Sequence, residues 1–473
     1  MTSTSTEIPT PLNRFTVRFW LNGLRVRLIS LESSRTFIPI CLVLALALRV
    51  GWLLFVSPAP VSDFRWYFER GRDMAAGYGY SMQTGDFWPD NVAPPFLSAE
   101  PGRQLTAYWP VGYPAFLAGL FFVFGPSIWV GQIANLVLSG LILILAYQIA
   151  KRLFQSELSG RLTLLLLAFY PDHIFYTSLI ATEILFLFLL LLTGLFLLLA
   201  QNNLRWAVAA GVVCGLACLV KPQTILVPGL VIASQFAREL GWPALRHYLK
   251  IGLISYLLLG LTLVPWTWRN YTLFNDVVFI STNGGYNLLV GNNPHADGAY
   301  GHHKPITAML SDVSDEQTRD AKATALAISY IREHPWQTIK LWPQKVWHLY
   351  KRESIGLYWN QQGLSAEMNQ RFATLFAILM TFAQIYYGVL AILFAGSLFT
   401  LKRVYSRIGL YPFLPISFII YFTGITILTF GIGRFHFPII PWVIMVIGAG
   451  ITTIFGLMPV TRTRATSHPG KED

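Results

Sequence analysis

Residues 37–63, FIPICLVLALALRVGWLLFVSPAPVSD, decide how this chain is read. The apolar run 37–56 is long enough to cross a bilayer, whose hydrocarbon core of ~30 Å takes about 20 such residues. The polar stretch behind it soon reaches Asp63. A carboxylate is thereby set at the membrane surface, where it can meet a lipid-borne substrate.

Working outward, similar runs recur at roughly 127–150, 161–180, 182–200, 206–221, 223–237, 249–266, 373–400, 409–431 and 436–457, two of them short. Of 473 residues, 54% are hydrophobic and 12% charged, which excludes a soluble globule of this length. The pattern predicts an all-α polytopic membrane protein with about ten transmembrane helices and two large extracytoplasmic loops containing interfacial helices.

A formal charge of +12 raises nucleic-acid binding, but the basic residues sit in short loops and argue against it. Arg14, Arg18, Arg25, Arg27 and Arg35 precede the first run, and Lys151, Arg152, Arg161, Arg205, Arg238, Arg246, Lys250, Lys402, Arg403, Arg407, Arg462 and Arg464 recur after every second crossing. By the positive-inside rule both termini are cytoplasmic. No small-residue cleavage site follows Val56, so a retained signal anchor is expected. Cys41, Cys214 and Cys218 all fall in apolar runs and read as core packing, not as a disulfide or zinc set.

This parity divides the chain into a basic N-terminal segment 1–36, a transmembrane module 37–266, a second outer loop 267–370, C-terminal helices 371–458 and a tail 459–473. The first outer loop is 57–112, and YPAFLAGLFFVFG at 113–125, too short to span, reads as interfacial or re-entrant. In the second loop, Ser314 followed by DEQ marks a helix start, and Ala321, Ala325, Ile328 and Ile331 keep helical spacing until Pro335. Trp336, Trp342 and Trp347, interleaved with Lys340, Lys345 and His348, suit a helix in the headgroup zone.

Asp63 lies in PVSDFRWYFERG and is either a helix cap or a general base that takes the proton from an acceptor hydroxyl. Lys221, Arg269 and Arg434 stand at outer helix ends, where they either snorkel to headgroups or serve a site, the planar guanidinium being suited to oxyanions. Asn283, Asn292 and Asn293, in a Gly/Asn-rich stretch, are either turn residues or a sugar-facing wall. Thr182 and Glu183 read as a capping pair, and Asp172 and His173 as a solvated surface turn. Glu69, Asp73, Asp86 and Asp90 read as solvated loop charges, and His302 and His303 as loop residues, since adjacent histidines do not share a helical face. No role is assigned to His436.

The order of an early Asp63, GYGY at 77–80, AYWPVGYPAF at 107–116, LVKPQTILVP at 219–228, PWTWRNY at 265–271, STNGGYNLLVGNNP at 281–294 and GRFHFPIIP at 433–441 resembles the polytopic GT-C glycosyltransferases. Nearest in pattern are bacterial protein mannosyltransferase and lipid A aminoarabinose transferase relatives, over about residues 37–458. The resemblance implies transfer of a sugar from a polyprenyl-phosphate donor to a hydroxyl acceptor, with inversion and no metal or other cofactor, outside a bacterial inner membrane. It implies Asp63 as base, Glu100 as a second acidic residue, Lys221, Arg269 and Arg434 on the phosphate, and Tyr67, Tyr113, Asn283, Asn292 and Asn293 on substrate. A flippase for lipid-linked sugars is the rival class. The absence of an inverted repeat and the gathering of charges at one face weigh against it.

Overall fold

The computed structural model describes residues 14–83, 102–237, 240–301, 303–313, 315–408 and 413–458. Glu100, Asp86, Asp90, His302 and Ser314 lie outside the described residues.

Helix α1 (Arg14–Ser33) turns into α2 (Phe37–Phe55), and α3 (Ser62–Ala75) follows the break at Pro58. A short antiparallel pair, β1 (Ser81–Gln83) and β2 (Arg103–Leu105), precedes α4 (Gly112–Phe124) and α5 (Ile128–Phe154). Next come α6 (Glu157–Ala168), α7 (Pro171–Phe175), α8 (Thr182–Ala200), α9 (Arg205–Val220), α10 (Val227–Phe236) and α11 (Trp242–Phe274). The second loop carries α12 (Gly284–Gly291), α13 (His303–Met309), α14 (Glu316–Glu333), α15 (Pro335–Lys340), α16 (Trp342–Tyr350), α17 (Ile355–Gln362) and α18 (Ala366–Arg371). The chain closes with α19 (Ala373–Leu398), α20 (Leu401–Ile408), α21 (Phe413–Leu428) and α22 (Ile440–Ile454).

Among the described residues, five helices, α2, α5, α8, α11 and α19, are long and apolar enough to cross a membrane, and α4, α9, α21 and α22 are shorter apolar helices. The run 161–180 is not one helix: it breaks at Tyr170–Pro171, because proline lacks the amide donor and pushes the preceding residue to extended backbone. Helix α11 runs past the expected boundary at 266, despite Pro265 within it. There the returning chain is pinned by Trp266 Nε1 to the Ile280 carbonyl (2.7 Å) and Asn270 Nδ2 to that of Val278 (3.0 Å).

Helix α8 is the axis of the bundle, 72% buried over its most apolar window against 22% for α11 and 17% for α19. The outer helices turn apolar side chains such as Val43, Leu253 and Ile392 outward, as a bilayer-facing surface requires. Gly211 and Gly215 let α9 close on α11: a Cβ at these positions would stand 2.7 Å from Leu258 Cβ and 2.6 Å from Thr262 Cβ. The one guanidinium inside α2, Arg49, is spent on the carbonyls of Ala45 (3.0 Å) and Ala168 (2.9 Å), the latter at the open end of α6.

The segments that follow α2 and α11 are fastened to each other. Glu316 of α14 accepts from Thr106 Oγ1 and the Ala107 amide, both at 2.7 Å, and Arg269 of α11 donates to the carbonyls of Thr106 (2.8 Å) and Tyr80 (3.1 Å). Burial raises the Glu316 pKa, against these bonds and Arg269, which lower it. The cap of α14 is Asp315, which accepts from the Thr318 amide (2.7 Å). Trp336, Trp342 and Trp347 of α15 and α16 are exposed, whereas Lys345 is fully buried. Cys41, Cys214 and Cys218 are buried and unbridged.

Candidate functional site

Asp63 stands in the first turn of α3, directly after Ser62, whose φ of 53° is unusual for a residue with a side chain. It is not a cap; Val61 occupies that position, with no side-chain hydrogen bond. Asp63 Oδ2 instead meets Nη1 of Arg434, from the 3-10 turn Gly433–His436 between α21 and α22. Arg434 faces a second carboxylate through Nε and through Nη2 (3.2 Å): Glu183, in the first turn of α8. Lys221, where α9 ends before Pro222, completes the set at 3.1 Å from Glu183 Oε1. Four charged side chains from four parts of the chain thus alternate in sign around one point.

The cluster corrects several expectations. Glu183 and Thr182 do not form a capping pair: Glu183 is fully buried and bridges Arg434 and Lys221, with Thr182 Oγ1 3.5 Å from Arg434 Nη2. Asp172 and His173 are buried rather than solvated; Asp172 Oδ1 accepts from the Gly356 amide (2.8 Å), and the His173 ring stacks on Phe437 at 4.0 Å. Asp73 is likewise buried, between Arg70 (3.1 Å) and Arg103 (3.0 Å), and Glu69 is paired with Arg65 at 2.7 Å.

Aromatic rings wall the charges. Phe64 lies 4.9 Å beneath the Arg434 guanidinium. Tyr67 meets Tyr113 edge-on at 5.6 Å and Trp109 at 5.9 Å. Burial and then the charge of Asp63 push the Tyr67 phenol well above its usual pKa, so it is a neutral donor. The buried hydroxyls of Tyr113 and Tyr176 have no hydrogen-bond partner among the described residues.

Behind Arg434, His436 sits in a buried network that sequence reasoning missed. Its Nδ1 lies 2.7 Å from the Leu349 carbonyl, which only accepts, so Nδ1 carries a proton. Its Nε2 faces Glu353 Oε2. No local signal marks Glu353 as buried; it follows α16 in an otherwise charged stretch, KRES.

Other expected residues lie elsewhere. Arg269 belongs to the clamp between the loops. Asn283 precedes α12, its Oδ1 accepting from Ser281 (3.0 Å). Asn292 and Asn293 are buried, and their amides are spent on backbone carbonyls: Asn292 Nδ2 donates to Leu288 and, across to the end of α21, Leu428 (both 2.8 Å), Asn293 Nδ2 to Leu289 (2.8 Å) and Val290 (3.1 Å). His303 pairs through Nδ1 with the Tyr286 hydroxyl (2.8 Å). Among the described residues, no group of three or more His, Cys, Asp or Glu side chains is placed to hold a metal ion.

Residues 109–268, about a third of the chain, match the dolichyl-phosphate-mannose-protein mannosyltransferase family. No curated protein matches the sequence. Among solved structures, the fold is that of the oligosaccharyltransferase of Archaeoglobus fulgidus. The crystal structure with Zn and sulfate aligns with a TM-score of 0.54 and 14% identity over 88% of this chain and 49% of that one. The complex with an inhibitory peptide and a dolichol-phosphate aligns with a TM-score of 0.52 and 12% identity over 93% and 51%. The chain therefore spans about half the length of these structures. ArnT from Cupriavidus metallidurans bound to undecaprenyl phosphate aligns more loosely, with a TM-score of 0.42 and 14% identity over 88% and 78%. The mannosyltransferase-family match over residues 109–268 agrees with the resemblance drawn from motif order, and an integral membrane protein of helices stands.

Proposed function

We propose that the chain is a glycosyltransferase that moves a sugar from a polyprenyl-phosphate donor to a hydroxyl of a protein, glycan or lipid acceptor. The single observation carrying this is the meeting of Asp63, Arg434, Glu183 and Lys221, residues up to 371 positions apart, at the ends of helices. The dolichol-phosphate held by one of the similar structures supports a lipid phosphate as the anion such cations receive.

Asp63 takes the proton of the acceptor hydroxyl as its oxygen attacks the anomeric carbon. The bond from that carbon to the phosphate oxygen breaks, inverting the centre, and the polyprenyl phosphate leaves with the bonding pair. Arg434 and Lys221 balance the charge that grows on the leaving oxygen. Glu183 holds both cations in place, and Tyr67 offers a neutral donor. Arg269, tied to the loops, leaves the phosphate set. No metal enters these steps.

The site belongs, on this proposal, to the non-cytoplasmic face of a bacterial inner membrane, with both termini cytoplasmic, the segment boundaries as read from sequence and Glu100 as a candidate second acid. No finding supports the flippase alternative. The test is Asp63→Asn in purified protein with a defined lipid donor and mass-spectrometric detection of product. Loss of turnover by roughly 100-fold or more is expected for a general base. Near-normal turnover by a folded variant rejects the assignment.

A further inference from the structure

Helix α1 has a use that sugar transfer does not call for. Its 20 residues carry Arg14, Arg18, Arg25 and Arg27, with Glu32 the only acid. So many charges keep it from crossing hydrocarbon. Yet it is built into the molecule: Leu28 is buried in a cluster with Leu158 and Leu162 of α6. Arg161 of α6 closes its C-terminal end by donating from Nη1 to the carbonyls of Leu31 and Ser34, both at 2.6 Å. Arg161 is itself held by Glu157 (2.7 Å), which also pairs with Lys151 (2.8 Å).

A helix fixed on one side still leaves another side open. Val26 and Ile29, three residues apart on the side turned away from Leu28, are 66% and 46% exposed, and Arg25 and Arg27 stand exposed on their flanks. Three residues, Ser34 to Thr36, separate α1 from α2, a candidate span whose Ile40, Val43, Leu44 and Leu48 are also exposed. The open face of α1 thus begins where the bilayer-facing surface of α2 begins. Apolar side chains of this kind seek the acyl boundary, and arginines between them reach headgroup phosphates.

We infer that α1 docks on anionic phospholipid headgroups of the leaflet opposite Asp63. Val26 and Ile29 enter the acyl boundary while Arg25 and Arg27, on their flanks, pair with lipid phosphates. The side follows from connectivity, because α2 separates α1 from Asp63. The Arg161 clasp fixes the depth and angle at which the helix meets the lipid. The partner is anionic lipid rather than a second copy of the chain, since the face is basic and so is the protein as a whole, at +12.

The experiment uses the full chain in detergent, titrated with phosphatidylglycerol or phosphatidylcholine and read by native mass spectrometry. The wild type is expected to bind phosphatidylglycerol in preference, and Arg25→Gln with Arg27→Gln to lose about fivefold of that preference per arginine at low salt. An unchanged preference in the double variant, or none in the wild type, overturns the inference. Independently, Val26→Cys carrying a nitroxide, in phosphatidylglycerol vesicles, is expected to collide with oxygen more than with a water-soluble nickel chelate. The reverse order, or immobilisation dependent on protein concentration as between two copies, overturns it.

Discussion

Asp63 and Arg434, 371 residues apart in the chain, face each other through Oδ2 and Nη1. That pairing decides what neighbouring substitutions do, since Arg434 also serves Glu183 and Glu183 also serves Lys221.

Glu183→Gln removes a buried carboxylate from two cations. Breaking a buried pair in this way costs about 3–5 kcal/mol, so thermal unfolding in detergent is expected several degrees lower, with sugar transfer impaired beyond the loss of folded protein. Glu183→Asp retains the charge and should restore part of both. A glutamine variant that melts with the wild type would show that the two cations do not depend on this residue.

Glu353 and His436 steady the turn that bears Arg434. Replacing Glu353 with Gln keeps a group able to bond Nε2, while Leu leaves Nε2 unpaired at a cost of about 1–3 kcal/mol. With matched amounts of folded protein, the Leu variant should raise KM for the lipid donor more than it lowers kcat, and the Gln variant should lie near wild type. Equal behaviour of the two would confine Glu353 to packing.

Burial lowers the Lys345 pKa to about 8, its ammonium bonding only neutral partners, Asn292 Oδ1 (3.2 Å) and the Ile427 carbonyl (3.0 Å). Between about pH 8 and the ordinary lysine value the unfolded chain binds a proton that the folded protein does not. The Lys345 contribution to stability is therefore full above that window and lost as pH falls towards 8. The melting temperature of wild type minus that of Lys345→Met should rise with pH across the window, by an amount worth about 3 kcal/mol at most. A flat difference would contradict the burial penalty.

Glu316→Ala strips Thr106 and the Ala107 amide of their partner, leaving buried donors unmet for about 1–3 kcal/mol. Hydrogen exchange of segment 102–113 should quicken while that of α8 stays slow. Unchanged exchange in that segment would mean that Arg269 and the Thr282 to Ala107 backbone bond (3.0 Å) suffice.

The bundle was legible because run length is a local property: α2, α5, α8, α11 and α19 announce themselves by apolar content alone. Asp63, Lys221 and Arg434 stood out as charges at the ends of such runs. Glu183 did not, since a glutamate in a first helical turn has a sufficient local explanation in the helix dipole. Asp172 and His173 looked solvated because they flank a proline turn, yet Gly356 and Phe437, which cover them, come from the far end of the chain. Asn292 and Asn293 suggested a sugar wall by residue type, and only coordinates reveal that nearby carbonyls consume their amides. Burial is decided by partners distant in sequence, which no window along the chain contains.

Two carboxylates and two cations leave the resting cluster with no net charge. A phosphate drawn in by Arg434 and Lys221 would tip this balance to the negative side and loosen the hold of Arg434 on Asp63. The arriving donor would thus free the carboxylate that its own transfer requires, and Asp63 would stay held by Arg434 until there is a glycosyl group to move.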